Sequence, residues 1–328
     1  MYKVSVREGE QAVGIDSIIS DRPDDLYLAC ASYEPRSTAV TDLLSSSYQA
    51  ERAIVYMNEE ILGSTCGGRV DAAAQKIAAA LERRGGKVIE ARGSWLDPQK
   101  QFEALQGAII EQNLRGAEFV RSVSLDATTF NREALLVTLV LLRAHFKRAV
   151  IRILYVSPDD HGDWLSRGFR SVRSVIGFPG IQDPTLPTAL IVLSGFEYDR
   201  VVRVANEYEP AKVFLGIGNP ATSPNFLERN KEEQKLFLAQ QDIESFEFPA
   251  DSIQSCAVRL QELIEAHAPH YNLVLAPMST KLSTVGAYLA AEQNPQVQIT
   301  YCVPGEYNVD NYSTGTKDLY TEQISYGE

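Results

Sequence analysis

One short polar segment combines side chains that could hold an anionic ligand. In SLDATTF (124–130), Asp126, Thr128 and Thr129 follow residues that favour a strand, and an apolar helix is predicted directly after them. Hydroxyls and free backbone amides at a helix start can hold a phosphate or a ribose, and a hydroxyl there can equally cap the helix. We therefore keep two interpretations of Thr128, a helix N-cap and a ligand contact.

A second segment repeats this arrangement and adds a positive charge. In LAPMSTKL (275–282), Ser279, Thr280 and Lys281 come directly after a predicted strand and before a predicted helix. Ser279 is interpreted either as a helix N-cap alone or as a cap whose hydroxyl also holds a phosphate or a ribose, and an ammonium group at the positive end of a helix favours an anion nearby. Lys281 is therefore predicted to supply the main fixed charge of an anion site.

An aromatic residue followed by a glutamate occurs twice at the end of a predicted strand. The segment ACASYEPR (29–36) contains Glu34 and Arg36, and VLSGFEYDR (192–200) contains Glu197 and Arg200. Each glutamate is interpreted either as a solvated carboxylate in the first turn of a helix or as a general base or hydroxyl acceptor. Each arginine is expected to pair with its glutamate or to contact a phosphate.

The elements that position these residues alternate between strands and helices along the whole chain. This alternation is typical of parallel α/β sheets, in which ligands bind beyond the carboxyl ends of the strands. We predict two tandem Rossmann-like halves, residues 1–176 and 188–328, with GFPGIQDPTLP (177–187) as the linker. Pro and Gly dominate the linker segment, as expected for a connection.

The two predicted halves resemble each other in four landmarks that occur in the same order. Each landmark falls at the end of a strand, and together they indicate an internal duplication. The landmarks are the aromatic–Glu pairs, Asn58 and Asn219, Thr128-Thr129 and Ser279-Thr280, and Tyr155 with Pro158 against Tyr301 with Pro304. Tyr155 and Tyr301 are added on this basis to the predicted ligand-binding residues.

Composition restricts the class of function. The chain has 328 residues, 45% hydrophobic residues and a formal net charge of −12, which disfavours binding along duplex nucleic acid. The sequence lacks a long apolar segment and a signal peptide, so we expect a cytoplasmic protein without a membrane span. The four scattered cysteines predict buried thiols, and we expect neither a metal ion nor a cofactor.

An acidic cluster lies in SPDDHGDW (157–164), where three aspartates surround His161. Metal binding is one interpretation, but no second group of ligands stands at a typical spacing. We therefore predict a polar loop near the crevice.

The segment LVLAPMSTKLSTVGAYLAA (273–291) resembles the strand, Ser/Thr/Lys loop and small-residue helix of the Rossmann-like ligand sensors called CARF domains. Two such halves in one chain are similar to the related SAVED proteins. The resemblance implies a sensor of cyclic or linear oligonucleotide second messengers in prokaryotic antiviral defence. It implies that Ser279, Thr280 and Lys281 contact the ligand, with Thr128 and Thr129 opposite, and that a separate effector protein is the partner.

Two other functions stay open from the residues alone. One is an enzyme that acts on nucleotides or nucleosides, with Glu34 or Glu197 as base and Asp126 assisting. The other is a scaffold subunit of a larger complex that binds no ligand. Chromatography of added ligands separates the sensor from the enzyme, and a lack of binding indicates the scaffold.

Overall fold

The computed structural model describes residues 2–5, 23–112, 120–238 and 243–325. The chain forms two compact units. Unit 1 contains Met1–Gly162 and Val309–Glu328, and unit 2 contains Asp163–Asn308. The chain therefore passes from one unit to the other twice.

Unit 1 is built on a seven-stranded sheet among the described residues. Its strands are β1 (Tyr2–Ser5), β2 (Leu26–Ala31), β3 (Arg52–Asn58), β4 (Lys87–Gly93), β5 (Ser122–Asp126), β6 (Val150–Val156) and β15 (Asp318–Ser325). Their order in the sheet is β1-β15-β6-β5-β2-β3-β4. Strands β2 to β6 are parallel, whereas β15 runs antiparallel to β6 and β1 runs antiparallel to β15.

The helices of unit 1 follow the strands, as expected for crossover connections. They are a 3₁₀ turn at Pro35–Thr38, α1 (Ala39–Leu43), α2 (Glu59–Leu62), α3 (Gly67–Glu82), α4 (Pro98–Gln112) and α5 (Arg132–His145). Helix α5 is buried along most of its length, which accounts for its apolar sequence. Two short strands, β7 (Asp160–His161) and β14 (Ser313–Thr314), pair with each other.

Unit 2 contains a six-stranded sheet. Its strands are β8 (Ser166–Ser174), β9 (Thr188–Leu193), β10 (Lys212–Gly218), β11 (Ile243–Phe248), β12 (Asn272–Pro277) and β13 (Gln298–Tyr307). Their order is β11-β10-β9-β12-β13-β8, in which only β8 is antiparallel to its neighbour. The helices are α6 (Tyr198–Tyr208), α7 (Pro224–Leu238), α8 (Ile253–His267) and α9 (Lys281–Gln293).

The two sheets share one strand order. Starting from β4 in unit 1 and from β11 in unit 2, five parallel strands lead to one antiparallel strand, β15 or β8. The central strands β2 and β12 are buried at every position, which explains their continuous apolar runs. The predicted α/β class with two Rossmann-like halves is confirmed, while descent of the halves from one ancestor stays a prediction.

The antiparallel strand of each sheet is exchanged between the two predicted halves. Strand β8 belongs to the predicted first half but pairs with β13 of the second, and β15 belongs to the predicted second half but pairs with β6 of the first. The observed division at Gly162 and at Asn308 therefore differs from the predicted boundaries at 176 and 188. The alternation of strands and helices predicts where a strand lies in the sequence but not which strand it pairs with. The exchange of β8 and β15 therefore could not be predicted from this pattern.

Candidate functional site

The Ser279–Lys281 segment lies at the amino end of α9. The hydroxyl of Thr280 accepts the backbone N–H of Ser283 at 3.0 Å and donates to the carbonyl of Ala250 at 2.6 Å. Thr280 is therefore the N-cap, and the prediction that Ser279 caps the helix is wrong by one position. Lys281 begins the helix, and all three side chains are partly exposed.

This segment lies where the strand order of unit 2 reverses. Strands β9 and β12 are neighbours in the sheet. The next strand after β9 is β10, which lies on one side of this pair, and the next strand after β12 is β13, which lies on the other side. A crevice at such a reversal is where open α/β sheets bind their ligands. The predicted location of Ser279, Thr280 and Lys281 at the carboxyl edge of a sheet thus agrees with the topology.

Two glycines allow the loops at this reversal to approach each other. A Cβ atom on Gly195 would lie 2.4 Å from the carbonyl oxygen of Met278. A Cβ atom on Gly218 would lie 2.7 Å from the Cβ of Ala250 and 3.8 Å from the hydroxyl of Ser279. The sequence analysis missed both residues, although a glycine at the end of an apolar strand is a usable signal for close backbone approach.

In unit 1 the segment that matches Ser279–Lys281 is residues 128–130, and hydrogen bonds within the unit hold it in place. The hydroxyl of Thr128 accepts the backbone N–H of Val156 at 3.1 Å, and Thr128 is fully buried. The N-cap of α5 is Asn131, whose side chain accepts the N–H of Ala134 at 2.7 Å. The interpretation of Thr128 as a helix cap is therefore wrong, because the chain makes three more residues of loop before the helix begins.

The neighbouring residues of this segment also point inward. Thr129 donates a hydrogen bond of 2.6 Å to the carbonyl of Cys30 and is partly exposed. Phe130, which occupies the position of Lys281, stacks on Tyr56 with the ring centroids 5.8 Å apart. The two halves therefore differ, since one presents a lysine where the other places a buried ring.

Asp126 is buried at the end of β5. Its carboxylate accepts the backbone N–H of Thr128 at 3.0 Å. Burial raises the pKa of Asp126 from 3.8 to about 6, and the hydrogen bonds from Thr128 and the charge of Arg36 only partly oppose this effect. The carboxyl group thus titrates close to neutral pH inside the unit.

Glu34 and Arg36 form a buried ion pair in unit 1. The Nη2 atom of Arg36 lies 2.5 Å from Oε2 of Glu34, and Nη1 donates to the carbonyl of Val156 at 2.7 Å. Ser313 donates to the same glutamate oxygen at 2.7 Å. The pair therefore joins the end of β6 to the segment that leads into β15.

Glu197 and Arg200 repeat this arrangement in unit 2. The Nη1 atom of Arg200 lies 2.6 Å from Oε2 of Glu197, and Nη2 donates to the carbonyl of Cys302 in β13. Glu197 also accepts a hydrogen bond from Ser166, the first residue of β8. In both units the glutamate accepts a hydrogen bond from a serine, in β8 or in the segment that leads into β15. The arginine donates to a main-chain carbonyl of the last parallel strand, β6 or β13.

Each arginine of these pairs also interacts with a tyrosine. The guanidinium carbon of Arg200 lies 5.6 Å from the ring centroid of Tyr301, and burial raises the pKa of Tyr155, which bonds to Arg36. Both tyrosines are buried. Of the predicted ligand residues, Thr129, Ser279, Thr280 and Lys281 keep partial exposure, and the buried ones are Thr128, Arg36, Arg200, Tyr155 and Tyr301.

An open pocket of 680 Å³ lies at the carboxyl edge of unit 2. It is bordered by the first residues of β8, by the loop after β9 and by α7, and Glu197 and Arg200 contribute to its lining. The aromatic side chains Trp164, Phe196 and Tyr198 also line it. The sequence analysis did not anticipate this pocket, because its walls come from three segments that are distant in sequence.

The remaining sequence predictions concern metals, membranes and cysteines. Within residues 2–5, 23–112, 120–238 and 243–325, no group of three potential ligands is placed to bind a metal, and no helix is long and apolar enough to cross a membrane. The acidic cluster at 157–164 contains β7, and His161 packs against Tyr312 with the rings 6.1 Å apart. The four buried free thiols agree with prediction: Cys30, Cys66, Cys256 and Cys302.

No protein-family model and no curated protein matches this sequence. Among solved structures, the chain is similar to a Type III CRISPR defence DNA nuclease activated by cyclic oligoadenylate. The TM-score is 0.50 at 9% identity, and the match covers 90% of this chain and 68% of the nuclease chain. The match shows a shared fold.

Two further solved structures resemble the chain more weakly. A solute-binding protein of an ABC transporter from Mycobacterium smegmatis, with bound glycerol, has a TM-score of 0.23 at 12% identity and covers 83% of this chain and 71% of its own. The N-domain of a bacterial malonyl-CoA reductase with NADP has a TM-score of 0.22 at 10% identity and covers 85% and 80%.

Proposed function

We propose that this chain is a sensor that binds a cyclic or linear oligonucleotide second messenger and acts through a separate effector protein in prokaryotic antiviral defence. The observation that supports the proposal most is the likeness in fold to a nuclease activated by cyclic oligoadenylate, over 90% of this chain at a TM-score of 0.50. Fold alone does not define a ligand, so the candidate site supplies the second line of support.

The proposed anion contacts come from unit 2. Ser279 places a hydroxyl at the carboxyl edge of the sheet, where the strand order reverses. Thr280 caps α9 and donates its own O–H to Ala250, and Lys281 adds an ammonium at the start of α9. Backbone N–H groups at a helix start favour a phosphate. Gly195 and Gly218 let the neighbouring loops pack closely against Met278 and Ala250 at this edge.

The charge distribution favours a small ligand over a long nucleic acid. With a net charge of −12, the chain repels an extended phosphate backbone. One lysine at a helix start provides a local positive site without a basic face. A short oligonucleotide with few phosphates fits this pattern.

The two buried ion pairs favour a protein that binds its ligand without converting it. Glu34 and Glu197 each accept from an arginine and from a serine, and both side chains are nearly inaccessible to solvent. A general base needs a proton within hydrogen-bond reach. Asp126, the third catalytic candidate, is also buried. We therefore assign the response to a partner protein and not to chemistry in this chain.

The first test measures binding and turnover together. Cyclic oligoadenylates of several ring sizes, linear oligoadenylates and ATP are titrated into the full chain by calorimetry, and each mixture is then separated by chromatography. We expect saturable binding of at least one oligoadenylate and recovery of the intact ligand. Conversion of the ligand would support an enzyme instead, and no binding would support a scaffold.

The second test places the ligand. Lys281→Ala is expected to weaken oligoadenylate binding by about 1.5–3 kcal/mol, the usual loss for a charged hydrogen bond, and circular dichroism checks that the variant is folded. Lys231→Ala on the exposed side of α7 is the matched control, because it removes the same charge from the same unit. Equal binding by both variants would remove Lys281 from the site.

A further inference from the structure

The pocket of unit 2 has walls that suit a flat ring. The guanidinium carbon of Arg167 lies 4.1 Å from the ring centroid of Trp164, and that of Arg229 lies 4.5 Å from the ring centroid of Phe196. All four side chains line the pocket. Stacked guanidinium and aromatic groups are surfaces on which nucleic-acid bases stack.

These walls are held in place by contacts within unit 2. Arg229 donates to the carbonyl of Asp163 at 2.9 Å, which ties α7 to the segment before β8. The ring of Phe196 packs edge-on against Phe226 with the centroids 5.6 Å apart. A ligand would therefore meet side chains that are already oriented, which lowers the entropy cost of binding.

The charges of the pocket disfavour a polyphosphate. Five carboxylates and four basic side chains line it, so its formal charge is slightly negative. Two of the basic groups are already neutralised, since Arg200 pairs with Glu197 and Lys235 lies 3.5 Å from Glu232. The carboxylates that border the opening can accept hydrogen bonds from an exocyclic amine, the contact that Asp and Glu make with cytosine.

We propose that this pocket binds a nucleoside through its base, with the base stacked against the Arg167–Trp164 and Arg229–Phe196 walls and an exocyclic amine bonded to the acidic rim. We call it the base pocket. Neutral nucleosides with an amino group on the base, namely adenosine, guanosine and cytidine, are preferred to uridine. Any of them is preferred to its triphosphate. The proposal goes beyond the oligonucleotide sensor and depends only on the base pocket.

The experiment titrates adenosine, guanosine, cytidine, uridine and ATP separately into the full chain by calorimetry. At least one amino-bearing nucleoside is expected to bind in a saturable manner and more tightly than uridine, and adenosine is expected to bind more tightly than ATP. Absence of binding by all amino-bearing nucleosides, or binding of ATP or uridine as tight as that of adenosine, would overturn the proposal.

Variants locate the bound nucleoside. Arg167→Ala, at an exposed position, and Phe196→Leu are each expected to weaken binding of the tightest nucleoside roughly five-fold or more, the loss typical of one stacking contact. Arg170→Ala, also exposed on β8 but outside the lining, is the control and leaves binding unchanged. Circular dichroism confirms that each variant folds. Unchanged binding by both Arg167→Ala and Phe196→Leu contradicts the assignment.

A last comparison separates this proposal from the sensor function. Lys281→Ala is expected to weaken oligoadenylate binding while it keeps nucleoside binding, because Lys281 does not line the base pocket. If oligoadenylate binding is never observed but the nucleoside result holds, only the sensor proposal fails. If Lys281→Ala abolishes nucleoside binding as well, the base pocket is not the binding site.

Discussion

Ser313 donates a hydrogen bond of 2.7 Å to Glu34, a residue 279 positions earlier in the chain. The same glutamate is paired with Arg36, so one buried carboxylate accepts from the 3₁₀ turn after β2 and from the strand that precedes β15. Ser166 and Glu197 make the equivalent contact in unit 2. The glutamate of the repeated aromatic–Glu motif therefore bonds to the first residue of β8 in unit 2 and to β14, the segment before β15, in unit 1. This is a structural role that its residue types did not reveal.

The first prediction concerns the Glu34–Arg36 pair. Arg36→Met is expected to lower the free energy of unfolding by about 3–5 kcal/mol, because Glu34 would stay buried without its cation. The double variant Glu34→Gln/Arg36→Met is expected to be more stable than the single variant. Chemical denaturation followed by circular dichroism measures both, with the exposed Arg83→Met as control. A double variant that is less stable than the single one would contradict the buried-pair argument.

The second prediction separates a helix cap from a buried hydroxyl. Asn131→Ala removes the cap of α5 and is expected to cost about 1 kcal/mol. Thr128→Ala is expected to cost more, about 1–3 kcal/mol, because the buried N–H of Val156 loses its acceptor. Thr128→Ser keeps the hydroxyl and serves as the control. Thermal and chemical unfolding measure the order of the three variants, and a smaller loss for Thr128→Ala than for Asn131→Ala would reverse our interpretation.

The third prediction concerns pH. Burial raises the pKa of Asp126 in the folded chain to about 6 from the ordinary value of 3.8, so between these two pH values the folded state holds a proton that the unfolded state has released. The folded state is therefore favoured at the acidic end, and this stabilisation is lost as the pH rises through 6. At about 1.4 kcal/mol for each pKa unit, the loss amounts to about 3 kcal/mol.

Asp126→Asn tests this prediction, since asparagine cannot titrate but keeps an oxygen that can accept the N–H of Thr128. Between pH 4 and pH 7 the wild type is expected to lose stability relative to the variant. The exposed Asp71→Asn is expected to keep the pH dependence of the wild type. Urea unfolding across this range gives the answer, and parallel curves for the wild type and Asp126→Asn would show that Asp126 titrates normally.

The fourth prediction concerns the loops at the strand reversal of unit 2. Gly195→Ala places a Cβ 2.4 Å from the carbonyl of Met278, so the loop must shift, and we expect a loss of about 1–3 kcal/mol. Gly107→Ala in α4 meets no atom within 4 Å and is expected to stabilise the chain by about 0.5–1 kcal/mol. Opposite shifts in melting temperature are the expected result. Tolerance of Gly195→Ala would mean that the two loops are not in close contact.

The sequence predicted the parts of the fold that depend on local pattern. Apolar runs such as LYLACA and NLVLAP are central parallel strands, and the landmarks that follow them lie at strand ends in both units. Hydrophobic runs and the alternation with helices contain this information directly. Partner choice is different, because the pairing of β15 with β6 depends on contacts between segments far apart in the chain.

The sequence identified candidate residues by their type but could not predict which of their side chains are accessible to solvent. Lys281 and Thr280 lie at a partly exposed helix start, whereas Arg36 and Arg200, which the sequence placed in the same site, are buried by contacts with distant segments. An arginine near a glutamate has the same one-dimensional signature whether it meets a phosphate or a main-chain carbonyl. Burial by a strand from elsewhere in the chain decides between the two, and it cannot be read from the local sequence.

The two crossings of the chain have a mechanical consequence. Ser166 and Tyr307 are register partners in unit 2, and His161 and Ser313 are register partners in unit 1, so the outgoing and returning runs of chain are paired on each side of the crossing. A force applied along the segment that enters unit 2 is therefore shared with the segment that leaves it, through the pairing of β8 with β13 and of β7 with β14. Residues 163–308 therefore behave as a single insertion with adjacent ends, and a short bridge from Gly162 to Val309 would leave every strand of the first sheet in place.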